Sequence, residues 1–156
     1  MTIADTLQQR LNVVGCPYEL IPHRPSGSSR ESAEAAHVDD GHLAKAVILQ
    51  DDRGFVMAVV PADRYLRLHA VRELLDRPGL ELAPEENAES LFADCRPGAI
   101  PPVGPAYGLE TLLDEGFVNL AHVFVEAGDH RHLVKLPGEA FPRLLAGARG
   151  GHFAHP

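Results

Sequence analysis

Two nearly unbroken apolar runs, Val47-Ile48-Leu49 and Phe55-Val56-Met57-Ala58-Val59-Val60, stand on either side of Asp51-Asp52-Arg53-Gly54. β-Branched and aromatic residues favour strands, and a polar turn containing glycine closes a hairpin. Segments 43–50 and 55–60 are therefore predicted to pair antiparallel. Neither run alternates with polar residues, so both faces of the hairpin must be covered. A chain built around such a hairpin is not a plain helical bundle, and hairpins argue against an all-parallel doubly wound sheet. Gly and Pro, 14 and 13 of 156 residues, exceed ordinary usage and imply many turns.

The remaining elements follow from local pattern. Leu7, Leu11 and Val14 repeat at helical spacing over residues 2–14, with Thr2 as cap, Asp5 in the first turn and Gly15 as the stop. Residues 18–23 form a short strand, placed at an edge by Pro22. Ser28 and Glu31 make a capping-box pattern ahead of an alanine-rich helix. Residues 65–76 carry Leu68, Val71, Leu74 and Leu75 on one helical side, Leu80 to Ala83 form a short strand, and Pro84-Glu85-Glu86 opens another helix. A long loop, 93–108, precedes strands at 109–114, 121–126 and 132–136. A C-terminal helix at 139–147 turns Phe141, Leu144 and Leu145 inward. The expectation is one α/β domain of the mixed α+β type with a curved mixed sheet, occupying residues 1–149, followed by a loose tail at 150–156.

Charge narrows the function. Lys plus Arg number 14 against 22 Asp plus Glu, a net charge of −8, so a broad nucleic-acid-coating surface is excluded and any such contact is local. Cys16 and Cys95 are too few for a disulfide framework and fit a reduced compartment. Residues 1–10 lack the pattern of a signal peptide, and no apolar run approaches the roughly 18 residues needed to span a bilayer. A soluble cytoplasmic protein is expected.

Lys45 is the first candidate for chemistry. It is one of two lysines, with Lys135, against twelve arginines, and it opens the apolar strand as Leu43-Ala44-Lys45-Ala46-Val47. An ammonium there snorkels to water, finds a partner or loses its proton; at a pocket mouth it would hold a phosphate or a developing oxyanion. The second candidate is the loop Gly98-Ala99-Ile100-Pro101-Pro102 with Gly104. Glycine permits close backbone approach and the prolines stiffen the adjoining chain, which suits either a carbonyl site or a rigid structural turn. His130-x-His132 beside Asp129 could place two imidazoles on one strand face, although the sequence places no third ligand. Cys95 has no nucleophile signature around it, and Cys16 reads as packing. Ser26-Gly27-Ser28-Ser29 is either a capped turn or an anion site at a helix start. There is no Gly-x-Ser-x-Gly elbow, Walker loop or dinucleotide motif.

Several ordered pieces belong together. His23 lies near the end of the first strand, ahead of the serine-rich turn and alanine-rich helix. Ala44-Lys45-Ala46-Val47-Ile48-Leu49 and Val59-Val60-Pro61-Ala62-Asp63-Arg64 come after it. Next are Pro97-Gly98-Ala99-Ile100-Pro101-Pro102-Val103-Gly104, the acidic pair Asp114 and Glu115, and Val125-Glu126-Ala127-Gly128-Asp129-His130. This set, over roughly residues 17–147, resembles the YbaK / prolyl-tRNA-synthetase-associated domain family.

The resemblance implies a single α/β domain whose mixed sheet is barrel-like and flanked by helices. It implies a free-standing deacylase that hydrolyses, in trans, the ester joining a wrong amino acid to the terminal ribose of tRNA. Lys45 and Gly98 would then be catalytic. His23, Ser28, Ser29, Ala46, Ala99, Ile100, Pro101, Pro102, Gly104 and His130 would bind substrate. No metal or other cofactor is implied. The partners would be the acceptor end of a mischarged tRNA and an aminoacyl-tRNA synthetase, with no membrane. The family's frequent Lys-Thr is Lys45-Ala46 here, and Asp94-Cys95-Arg96 and Tyr107-Gly108 depart from the familiar editing members. The missing hydroxyl and the acidic charge keep open a non-catalytic nucleotide- or aminoacyl-tRNA-binding module on the same fold. A metal-dependent hydrolase using His130 and His132 is the third alternative.

Overall fold

The computed structural model describes residues 3–156. Its elements run α1 (Asp5–Val14), β1 (Glu19–Pro22), α2 (Ser29–Ala36), β2 (Leu43–Asp51), β3 (Gly54–Pro61), β4 (Tyr65–Leu66), α3 (Leu68–Leu75) and β5 (Glu81–Leu82). They continue α4 (Glu85–Glu89), β6 (Glu110–Asp114), β7 (His122–Glu126), β8 (His132–Pro137), α5 (Phe141–Leu144), β9 (Arg149–Gly151) and β10 (Ala154–His155). The predicted hairpin is present: β2 and β3 pair from Ala44↔Pro61 to Asp51↔Gly54.

Around that hairpin the strands lie in the order β1-β8-β7-β2-β3-β6-β9, with β5 also on β2. The β2–β7, β3–β6 and β6–β9 pairs are parallel and the others antiparallel, so the sheet is mixed, as expected. β1 takes the predicted edge position, where the absent N–H of Pro22 costs no ladder bond.

The apolar run of β3 is explained by burial on both faces. Val56, Ala58 and Val60 pack in one cluster with Val71, Leu80 and Phe153, while Met57 and Val59 pack in another with Leu7, Leu11, Phe141 and Leu144. A third, smaller cluster sets Leu43 and Leu133 against Ala33 of α2. Arg77 ties the hairpin turn to β6: its Nε donates to Asp51 Oδ2 at 2.8 Å and its Nη1 to Glu110 Oε1 at 2.8 Å.

Capping explains several boundaries. Gly15 ends α1 at φ 71°, a left-handed conformation that glycine adopts without a Cβ clash. Ser28 caps α2 by accepting from the Glu31 N–H at 3.2 Å, and the Glu31 carboxylate accepts from the Gly27 N–H. Thr2, the expected cap of α1, lies outside the described residues.

Three expectations are corrected. The helix at 65–76 begins only at Leu68, because Tyr65 and Leu66 pair with β10. The helix expected at 139–147 is a 3₁₀ turn, Gly138–Ala140, followed by the single helical turn of α5. The tail is not loose: β9 pairs with β6, β10 pairs with β4, and Phe153 is fully buried. Among the described residues no helix is long and apolar enough to cross a membrane.

Candidate functional site

The outer edge of β2 is only partly covered. β7 pairs with it in parallel at Leu43 and Ala44, and β5 pairs antiparallel at Leu49 and Gln50. Residues 45–48 between these partners are open. The Leu43 carbonyl accepts from Ala62, which follows β3, whereas the Ile48 carbonyl accepts from Ala83 on the β5 side. Backbone direction alternates along a strand. The Ala46 N–H and C=O therefore face the opening.

A cleft of about 330 Å³ lies along this opening. Lys45, Ala46, Val47 and Ile48 form one wall, and Arg96, Pro97, Gly98 and Ile100 form another. Phe92, Ala88 and Cys95 contribute apolar surface. The Gly-rich loop is held from behind. The His130 ring bonds through Nε2 to the Pro97 carbonyl, and the Arg96 N–H donates to Gly128 O at 2.8 Å. Gly98 has φ +81°, and a Cβ there would come within 2.9 Å of the Gly27 carbonyl and 3.2 Å of the His130 ring. Only glycine fits this approach. The Ala99 N–H is spent on Arg96 O at 3.1 Å; among the described residues the Gly98 and Ile100 N–H groups make no hydrogen bond.

The structure divides the expected substrate-binding residues. Lys45, Ala46, Gly98 and Ile100 share the cleft. Ala99, Pro101, Pro102 and Gly104 are buried and are not among the residues that line the cleft. A Cβ on Gly104 would lie 2.1 Å from Thr111 Oγ1, so close packing fixes that glycine. His130 stands behind the loop. Ser28 and Ser29 line a second, smaller chamber of about 200 Å³. Lys45 lines both spaces. His23 hydrogen-bonds through Nδ1 to Arg24 O at 2.6 Å, while its buried Nε2 has no partner.

Lys45 Nζ donates to the Arg64 carbonyl at 3.2 Å. Burial pushes the Lys45 pKa below its usual value, and the positive charge of Arg30 adds to this; Asp63 opposes both. Cys95 also lines the cleft, but burial pushes its pKa up to about 12, leaving a neutral thiol rather than a nucleophile.

His130, in the turn before β8, and His132, at its start, do not converge. His132 Nδ1 meets Asp129 Oδ2 at 2.7 Å, whereas His130, at φ 60°, turns to Pro97. Among the described residues no three His, Cys, Asp or Glu side chains are grouped to hold a metal ion.

Sequence reasoning missed Glu126. It is 1% exposed, Ser29 and Ser32 both donate to its Oε2 at 3.2 Å, and its Oε1 has no partner. Burial raises its pKa to about 7. A lone acid ending the run His122-Val123-Phe124-Val125-Glu126 was the available signal. Arg30 and Arg64, which join Lys45 in the smaller chamber, had no such signal, since the fold alone brings them together.

A family model described as an aminoacyl-tRNA editing domain matches residues 23–144. No curated protein is significantly similar to the chain in sequence. Solved structures are similar in fold. Hypothetical protein APE2540 is 19% identical at a TM-score of 0.83, over 97% of this chain and 100% of that one. A protein provisionally described as a trans-editing enzyme for prolyl tRNA synthetase is 22% identical at a TM-score of 0.79, over 99% and 100%. A protein from Marinobacter aquaeolei VT8, provisionally described as a signal transduction protein, is 24% identical at a TM-score of 0.77, over 97% of this chain and 30% of that one.

Proposed function

Because the chain belongs to the aminoacyl-tRNA editing domain family, we propose that it is a free-standing deacylase, hydrolysing in trans the ester between a wrong amino acid and the terminal ribose of tRNA. The carrying observation is the meeting of Lys45, the open β2 edge and the Gly98 loop around one cleft. The acyl group lies against Ala46, Phe92 and Ile100. Its carbonyl oxygen turns toward N–H donors of the Gly98 loop or of Ala46. Water adds to the carbonyl carbon, the carbon–ribose oxygen bond breaks, and the ribose oxygen takes up the proton that the water loses. As the tetrahedral intermediate forms, charge develops on the former carbonyl oxygen, where fixed donors stabilise it most. Lys45 anchors the nucleotide end by charge. The neutral Cys95 thiol offers no covalent route, and the neighbouring ribose hydroxyl is suitably placed in the substrate itself to help activate water. The chemistry needs neither a metal nor a cofactor. The partners in this reading are the tRNA acceptor end and a synthetase that supplies the mischarged species, in the cytoplasm.

The first prediction tests the lysine. Wild type and Lys45→Ala are compared on tRNAs charged with Ala, Cys, Ser, Thr and Pro. Wild type is expected to release at least one amino acid. Lys45→Ala should lower that rate by about 10²-fold or more while retaining a cooperative melt. Equal turnover by the two proteins rejects the mechanism. A second reading, a binding module without catalysis, draws support from the occurrence of this fold within the longer chain described as a signal transduction protein. Binding of aminoacyl adenosine without hydrolysis of any charged tRNA would establish that reading instead.

A further inference from the structure

Cations from three separate elements line the smaller chamber. Lys45 comes from β2, Arg30 from the first turn of α2, and Arg64 from the turn after β3. Asp63 is the one carboxylate among the lining residues. Arg30 repels the Lys45 ammonium, and such repulsion is costly unless something offsets it. The available counter-ions do so poorly. Arg30 Nε lies 3.6 Å from Asp40, with the arginine side chain 71% exposed. Arg64 Nε lies 3.8 Å from Asp63, again well exposed. Long exposed pairs of this kind contribute little and leave most guanidinium donors free. Glu126 lies behind Ser29, buried and hydrogen-bonded, rather than on the chamber wall.

We propose that this chamber is an anion site for the phosphate of a 5′-nucleotide, with Arg30 and Arg64 gripping the phosphate and Lys45 shared between it and the group held in the cleft. Three cations against one carboxylate match a phosphate anion in sign, whether the singly charged diester that precedes the terminal ribose of tRNA or the dianion of a free monophosphate. Guanidinium groups arriving from two directions can each present paired N–H donors to phosphate oxygens. Ser28 and Ser29 shape the wall beneath. The shared lysine then makes the cleft and the chamber one bipartite site, acyl end on one side and phosphate on the other. The assignment deepens the deacylase reading by naming what holds the nucleotide, but its test needs no hydrolysis.

Titration calorimetry of the intact chain with adenosine 5′-monophosphate, adenosine and inorganic phosphate tests it. The monophosphate is expected to bind about tenfold or more tightly than adenosine at low salt. Arg30→Gln and Arg64→Gln should each weaken monophosphate binding by roughly 3- to 10-fold and leave adenosine unchanged, whereas Arg53→Gln in the distant hairpin turn should change neither. Arg30 is so exposed that its variant should fold even if that of Arg64 does not. No monophosphate binding, equal affinity for monophosphate and adenosine, or indifference to both arginine substitutions overturns the proposal. A protein that binds the monophosphate through these arginines yet hydrolyses no charged tRNA overturns the deacylase reading alone. One that hydrolyses while ignoring the monophosphate overturns the phosphate chamber alone.

Discussion

Glu126 shows what a single buried side chain can reveal about pH. In water its carboxyl would titrate near the ordinary value of 4.5; in the fold, burial raises this to about 7, and the hydroxyls of Ser32 and Ser29 only partly offset the cost. Between those two values the folded chain binds more protons than the unfolded one. Stability therefore falls as pH rises from about 4.5 to about 7 and stays lower above that. Urea denaturation at pH 5 and pH 8 should show wild type weaker at pH 8, by an amount on the order of a few kcal/mol from this group. Glu126→Gln should flatten that difference and be the more stable protein at pH 8. Identical pH slopes for the two proteins would refute this account. The role of Glu126 was not legible in the sequence, since the cost of a buried acid depends on α2 bringing Ser29 and Ser32 against it. Lys45 stood out in the sequence, because an ammonium at the head of an apolar strand is conspicuous before any fold is known; that it borders the cleft is seen only in the fold.

At the scale of elements, the loop from Gly98 to Gly104 contains two glycines that do different work. Both belong to one sequence pattern and were expected to meet the substrate. In the structure Gly98 borders the cleft, while Gly104 packs against Thr111 and Met57. Gly104→Ala puts a methyl group into occupied core and should cost about 1–3 kcal/mol. The fraction that still folds should keep its turnover. Gly98→Ala meets a backbone carbonyl 2.9 Å away, at a positive φ that alanine adopts only under strain, and must shift the loop. Its stability loss should be about 1 kcal/mol, with a larger fractional loss of deacylation. Thermal melts and turnover, measured on both variants, should therefore rank them in opposite order. The same ranking in both assays would mean that the loop is structural throughout. Local pattern found the hairpin, the edge strand and the turn of Gly15, because each depends on neighbours in sequence. It could not tell Gly98 from Gly104, because only contacts with distant residues separate them.

At the scale of the whole molecule, the final residues connect the second core to the candidate site. Gly150 and Gly151 with one isolated phenylalanine carry no periodicity, so the tail read as loose. Folding gives those residues long-range partners. Phe153 is fully buried beside Val71, Leu80 and Leu112, and the Phe153 and Ala154 N–H groups both donate to Asp114 Oδ1 at 2.9 Å. β10 then pairs with Tyr65 and Leu66, directly after Arg64, whose carbonyl receives the Lys45 ammonium. The tail thus holds in place the turn that presents Arg64 to the chamber. Phe153→Ala should destabilise the protein by about 3–5 kcal/mol, as expected for emptying a buried aromatic site. At temperatures where the variant is still folded, adenosine 5′-monophosphate should bind more weakly than to wild type, because the arginine-bearing turn has lost its support. A loss of less than about 1 kcal/mol would show that Phe153 is not part of the working core. Full destabilisation with unchanged monophosphate affinity would show instead that the tail stabilises the fold without organising the site.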